Sequence, residues 1–303
     1  MRRAFLGFVA LALLLPPGTP AVAQSDGPAV VVVRASPATP VRGTIAWLEV
    51  SPEGEAGSSP LRGVEGETAD EPLHFSPTPD GAFKALFGLP VEGPDSIALS
   101  LRLRRDGRTD TTVVTLAVTR PSYGSERLRV DPALARLDSA ARVRVEAESA
   151  RSREVSVGSH DTPRLWSVPF RLPRPSRITS VFGTAREYNG VMTSRHLGTV
   201  FAGAVGAPVG AAGRGVVGLV ASFYLAGKAV YLDHGGGLVT AYFHLSRIDV
   251  AQGDTVAAGQ VIGAVGRSGR VTGPHLHWIA RYGTITVDAM SLLRLGGEGR
   301  RGE

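Results

Sequence analysis

"KAVYLDHGGGLVTAYFHLS", residues 228–246, decides how the C-terminal half of this 303-residue chain is read. Two short apolar runs flank three consecutive glycines, the spacing of two strands joined by a tight turn. Neighbouring stretches repeat the pattern, "GAPVGAAGRGVVGLVASF" at 206–223 and "VIGAVGRSG" at 261–269. Together they predict a compact, mostly antiparallel sheet from Ile178 to Leu293. Within the opening stretch His234 reads as part of the turn, whereas His244 sits in strand-like sequence.

Five of the seven histidines fall between positions 196 and 277. In "TGPHLHWIA" (272–280), His275 and His277 are two residues apart. On a strand such residues point to one face, so both imidazoles reach one pocket while Leu276 packs on the other side. "RHLGTVF" (195–201) adds His196 before a glycine. Four histidines in one small glycine-rich region, two of them on one face, point to a shared site. Imidazole is a common zinc ligand, and a catalytic zinc needs three protein ligands with a fourth position left for water.

The N-terminal half reads differently. Ala29–Val33 is apolar, Thr44–Val50 alternates around Ile45 and Trp47, with Leu48 a further candidate, and Ile97, Leu99, Leu101 and Leu103 alternate with Ala98, Ser100 and Arg102. That period of two marks a half-buried strand. Asp106-Gly107 before Thr111–Val118 is a hairpin signal. The expectation for residues 24–120 is an immunoglobulin-like β-sandwich, with His74 structural. Residues 121–165 are expected to be a linker with a helix that Asp131-Pro132 could start, of one or two turns or longer. A flexible tail follows at 294–303.

Composition narrows the function. Arg2 and Arg3 precede the apolar run Ala4–Leu15 and then Ala21-Val22-Ala23, the layout of a secretory signal peptide over residues 1–23. No later segment is long and apolar enough to span a bilayer, so the mature chain is expected to have no transmembrane segment and to reach a periplasm or cell envelope. The absence of cysteine excludes a disulfide framework, a thiol nucleophile and Cys-ligated zinc. The formal net charge is +6, but the arginines are scattered and lysine occurs only at Lys84 and Lys228. A nucleic-acid groove would need a dense basic run with interleaved aromatics, so nucleic acid is not the expected partner.

In order, "ITSVFG", "YNG", "RHLGT", "GAPV-x-A-A-x-x-G-V-V", "DHGGGLVTAYFHLS", "V-x-x-G-D-x-V-x-x-G-Q-x-I-G-x-V-G" and "TGPHLHW" closely resemble the LytM/lysostaphin-type zinc endopeptidases, over about residues 166–293. The leading sandwich is also similar to the domain that precedes this module in some exported members. The resemblance implies a mainly β protein, a Zn2+ cofactor and peptidoglycan stem peptides as partner, with hydrolysis of wall cross-links as the activity. His196 and His277 match the outer zinc ligands, and His244 and His275 match the two histidines that flank the metal-bound water. The family pattern H-x-G-x-D supplies the middle ligand as an aspartate, and here that position is Val200. Glu187 and Asp233 are the carboxylates considered as substitutes. Two functions therefore compete: a zinc endopeptidase, and a degenerate module that binds wall or regulates a separate cell-wall amidase. A third, an exported adhesion or carbohydrate-binding protein with structural histidines, fits the ordered motifs least.

Overall fold

The computed structural model describes residues 21–23, 31–52, 60–128, 137–167, 169–188 and 191–295. Most of the expected leader lies outside these residues. Its last three, however, form β1 (Ala21–Ala23), which pairs with β2. The protein is mainly β, with antiparallel sheets carrying almost all of the pairing.

The first half contains β1, β2 (Val31–Ser36), β3 (Ile45–Pro52), β4 (Leu61–Thr68), β5 (Glu71–Leu73), β6 (Ser76–Pro77), β7 (Phe83–Gly88), β8 (Ser96–Arg105) and β9 (Arg108–Ala117). They form two sheets, in the orders β1-β2-β3-β7-β6 and β5-β4-β8-β9. Val33, Leu48, Val50, Phe87, Leu99, Leu101 and Leu103 from both sheets share one core. The period-two reading of β8 holds: Leu99, Leu101 and Leu103 are buried while Arg102 and Arg104 face solvent. Asp106-Gly107 is the two-residue turn to β9, and Gly107 takes the positive φ of 71° that such a turn requires.

β3 departs from simple alternation because both of its faces are covered. Leu48 and Val50 point into the sandwich, whereas Ile45 and the half-buried Trp47 pack against the core of the second half. A strand buried on both faces loses the alternation that a half-solvated strand shows.

Beyond β10 (Ser125–Leu128), the helix α1 runs over Ser139–Gly158. It starts at Asp138, whose carboxylate accepts from the Ala141 N–H at 2.7 Å. Asp131, the residue considered as its start, lies outside the described residues. The helix is far longer than a linker turn and crosses the second sheet on small residues. Ser152 and Ser156 are buried, and Arg281 Nη1 donates to Ser152 Oγ at 3.3 Å and Ser156 Oγ at 3.5 Å.

The second half holds β11 (Ile178–Ser180), β12 (Ala185–Tyr188), β13 (Val191–Arg195), β14 (Thr199–Ala202), β15 (Pro208–Gly210), β16 (Gly215–Phe223), β17 (Gly227–Gly235), β18 (Leu238–Ile248), β19 (Thr255–Val256), β20 (Val261–Val265), β21 (His275–Tyr282) and β22 (Ile285–Val287). β11-β14-β21-β18-β17-β16-β19 form the spine of a ten-stranded sheet, with β15, β20 and β22 branching from it. One face carries Phe201, Leu232, Tyr242, Leu276 and Trp278; the other carries Leu219, Tyr231, Phe243 and Ile279. Ser125–Leu128, expected in the linker, instead lie parallel to β12 at the edge of a three-stranded sheet. The expected tail also starts too early: Arg294 closes a 3-10 turn, and Leu295 is buried and accepts from Trp47 Nε1 at 3.1 Å.

Candidate active-site cleft

Three neighbouring strands set the cleft. In the antiparallel ladder of β14 with β21, Val200 lies opposite His277 and Ala202 opposite His275. In the ladder of β18 with β21, Phe243 lies opposite His277 from the other side. Side chains directly opposite one another share a face. His277 is therefore flanked by an isopropyl group and by a phenyl ring whose centroid is 5.5 Å away at 84°.

The sheet brings all four expected histidines together. His196 and His277 have ring centroids 4.8 Å apart, His244 and His275 4.8 Å, and His244 and His277 6.0 Å. Their positions have separate local causes. His275 and His277 share a face through the strand period. His196 precedes β14 and is fixed by backbone bonds with Gly183 and Thr184. His244 is not in regular strand conformation: its φ is +63°, in the left-handed region, next to register shifts in both ladders that β18 makes there. A bulge of this kind re-aims a side chain, and non-glycine residues in that region cluster at functional sites. Its strand-like context gave no sign of the bend.

Carbonyl oxygens fix three of the imidazoles. His196 Nδ1 donates to Val181 O at 3.0 Å, His244 Nδ1 to Ser268 O at 2.9 Å and His275 Nδ1 to Gly273 O at 2.9 Å. A carbonyl can only accept, so each ring carries its proton on Nδ1 and keeps the Nε2 lone pair. Nε2 of His196 and Nε2 of His277 are both buried and bond to nothing among the described residues. Burial holds all four neutral at neutral pH. It pushes His196 and His244 down to about 4, His277 well below the ordinary value, and His275 downward; the Arg186 guanidinium adds to the effect on His196, His275 and His277.

Gly198 makes room for this packing, because a Cβ there would fall on His277 Nε2. Behind His196 lies a polar shell: Ser180 Oγ is 3.1 Å from His196 Nδ1 and donates to Glu126 Oε1 at 3.1 Å, while Arg186 Nη2 donates to Ser180 Oγ at 3.3 Å. Glu126 and Arg186 were not singled out in the sequence. Only the pairing of β10 with β12 places Glu126 there.

A catalytic zinc ion in this cleft would need three ligands. The orphaned nitrogens of His196 and His277 suit two of them. The third place faces Val200, and neither substitute carboxylate supplies it. Glu187 is paired with Arg127 at 3.4 Å, and Asp233 is bonded to Thr162 Oγ1 at 2.6 Å and to the Gly235 N–H at 2.8 Å. Glu126 approaches from the Nδ1 side of His196, away from its free nitrogen. Among the described residues no group of three or more His, Asp or Glu side chains converges as a metal site. Among the described residues, two of the three ligands of a catalytic zinc are therefore present and the third is not.

The remaining histidines lie elsewhere. His234 is buried beneath the glycine turn, its Nδ1 donating to Arg214 O at 2.7 Å and its Nε2 bonded to Thr240 Oγ1 at 2.8 Å. His74 has a partner that its sequence surroundings did not show: its Nε2 is 2.8 Å from Nδ1 of His160.

Residues 194–289 match the model described as Peptidase family M23, a LytM-type domain. The chain is 48% identical over 105 residues to the peptidoglycan DD-endopeptidase ShyA of Vibrio cholerae, a match covering 34% of this chain and 24% of that one. It is 42% identical over 118 residues to the DD-carboxypeptidase/endopeptidase Mpg of Neisseria meningitidis serogroup B, covering 39% and 27%. The chain thus spans about a quarter of the length of these curated relatives. A crystal structure of a peptidase M23 protein from Pseudomonas aeruginosa superposes with a TM-score of 0.60 at 24% identity, covering 84% of this chain and 95% of that one, and so shares the fold.

Proposed function

We propose that this protein is a cell-envelope, peptidoglycan-directed M23 module that engages wall stem peptides through its histidine cleft without hydrolysing them at the rate of a zinc endopeptidase. The observation that carries the reading is the register of Val200 against His277. An apolar wall stands where a coordinating oxygen belongs, and a divalent ion held by two neutral imidazoles lacks its anionic counterpart. The peptidoglycan substrate class is supported by the relatives described as DD-endopeptidases. Placement in the envelope is supported by those relatives and by the leader read in residues 1–23.

What the cleft retains is suited to binding. His244 and His275 keep Nε2 lone pairs, and His275 is only half buried. Neutral imidazoles of this kind accept hydrogen bonds from peptide N–H groups. A module of this kind acts on the wall through others, and a cell-wall amidase is the partner class it would recruit.

The test pairs elemental analysis with isolated sacculi. The purified natural protein is expected to carry well under one zinc per chain, to co-sediment with sacculi and to release no stem-peptide fragments. The competing reading, a zinc endopeptidase, is favoured by the two orphaned nitrogens of His196 and His277. Stoichiometric zinc, lost in His277→Ala, together with fragment release would establish that reading instead.

A further inference from the structure

Charge is unevenly placed along the chain. From Thr162 to Leu232 the sequence holds a single acidic residue, Glu187, among many arginines. Three of those arginines fall in "RLPRPSR", residues 171–177, which leads into β11. Hydrogen bonds fasten this stretch across β14, β15 and the residues that follow. The Arg171 N–H donates to Ala212 O at 2.8 Å, the Gly210 N–H to Pro173 O at 2.9 Å and the Ala202 N–H to Arg177 O at 2.9 Å. Ser176 Oγ adds a bond to Ala202 O at 2.8 Å. The stretch is a fixed ledge on the sheet.

Nothing neutralises the charge of this ledge. Arg171 and Arg177 are exposed, and neither guanidinium pairs with a carboxylate among the described residues. Arg174 is half-buried and donates to carbonyls, from Nε to Ala202 O at 2.9 Å and from Nη1 to Pro208 O at 3.5 Å. Carbonyl partners hold its position and leave its charge in place. Exposed arginines elsewhere have acidic neighbours, as Arg62 has Asp106, Arg104 has Glu65 and Arg247 has Asp249.

Apolar side chains stand in solvent among these cations. Leu172 and Ile178 belong to the ledge itself. Val261 lies opposite the bulged Gly210 in the ladder of β15 with β20. Val205 is in the turn after β14, near Gly203, where a Cβ would come within 3.0 Å of Arg174 Nε. Val205 is 54% and Val261 47% exposed. With Val181 and Leu197, farther along towards the cleft, they make six of the ten large apolar side chains that stand exposed among the described residues. Single exposed apolar residues are ordinary, whereas a group of them marks an interaction surface.

Unpaired guanidiniums beside exposed aliphatic groups suit a partner that offers anions with an apolar layer beneath them. A lipid headgroup layer has that composition. Its phosphates accept from the guanidinium fork, and aliphatic side chains enter the boundary with the acyl chains. A dissolved polyanion would engage the arginines and leave Leu172, Ile178, Val205 and Val261 in water. We propose that this ledge is a docking surface that seats the protein on an anionic lipid bilayer. The proposal does not depend on the reading of the histidine cleft.

The test mixes the mature chain, freed of residues 1–23 whose apolar run would itself enter lipid, with vesicles and measures co-sedimentation. Vesicles of phosphatidylcholine with about 30% phosphatidylglycerol should bind at least about tenfold more tightly than phosphatidylcholine alone. That difference should shrink as salt rises from about 0.05 M to about 0.5 M. Arg171→Gln with Arg177→Gln removes two exposed, unpaired charges and should weaken binding to the anionic vesicles about tenfold to thirtyfold, about fivefold per arginine. Arg102→Gln with Arg104→Gln makes the same change in net charge on β8 and should alter binding by less than about twofold. Leu172→Gln with Val261→Thr keeps the charge and should weaken vesicle binding about threefold or more, while leaving binding of soluble polyphosphate unchanged. No preference for anionic vesicles, or equal losses in the two arginine pairs, would overturn the proposal. So would vesicle binding that survives intact in the apolar pair, and tight polyphosphate binding beside it would make a dissolved polyanion the occupant.

Discussion

Val200 stands directly opposite His277 in the ladder of β14 with β21. Opposed side chains on one face have Cβ atoms about 5 Å apart, which is within the reach of a carboxylate ligand beside an imidazole one. Val200→Asp is therefore expected to raise zinc affinity at least tenfold, on the scale of about 10–100-fold known for losing even an outer partner of a metal site. His277→Ala in that background should remove the gain. Calorimetry with zinc checks both. Equal binding by the natural and Val200→Asp forms would mean that another residue already fills the position.

Gly198, two residues before Val200, is a second close contact of His277. A methyl group there would fall on the ring nitrogen and press on Ile279. Gly198→Ala should destabilise the fold by about 1–3 kcal/mol, the usual cost of overpacking a filled interior. Urea unfolding measures this, and an unchanged midpoint would show that His277 can turn aside freely.

His244 stores backbone strain at φ +63°. A β-carbon costs about 1–2 kcal/mol in the left-handed region, and glycine does not meet that cost. Both His244→Gly and His244→Ala lose the imidazole, so comparing them isolates the backbone. The glycine variant should be the more stable by about 1 kcal/mol in urea, and the reverse order would contradict the bulge at this position.

His234 ties stability to pH. Burial lowers it to about 4, whereas the unfolded chain titrates near 6.5. The unfolded state therefore binds the extra proton first, and stability falls as pH drops from about 6.5 towards 4. His234 alone accounts for about 3 kcal/mol of that fall. His196 and His244 act in the same direction. In His234→Gln the number of protons taken up on unfolding across this window should decrease by about one, read from the slope of unfolding free energy against pH. An unchanged slope would place the His234 titration outside the window.

The sheet of the second half was legible because its signal is local. Glycine punctuation located the turns, and the two-residue period put His275 and His277 on one face. The sandwich was legible in β8 for the same reason. β3 was harder, since burial on both faces erases the alternation that distinguishes Leu48 from Trp47. The length of α1 was masked by its composition: Ser152 and Ser156 look polar in sequence, but they are small enough to be covered by the sheet. Least visible were pairings across long separations. Glu126 reaches Ser180 and His160 reaches Glu71 only after the chain has folded. The bend at His244 was not visible in the sequence, because it is set where the ladders of β18 with β17 and β20 shift register.

The double-sided burial of β3 bears on how such proteins are dissected. Ile45 and Leu86 lie in the core of the C-terminal half, while Ala46 and Phe87, their immediate neighbours in sequence, lie in the other. One β-sheet is thus a party wall common to two interiors. A fragment trimmed to the peptidase-like half would carry a raw hydrophobic flank into solvent, and its poor solubility or false stickiness towards cell walls would reflect the missing wall and not the cleft.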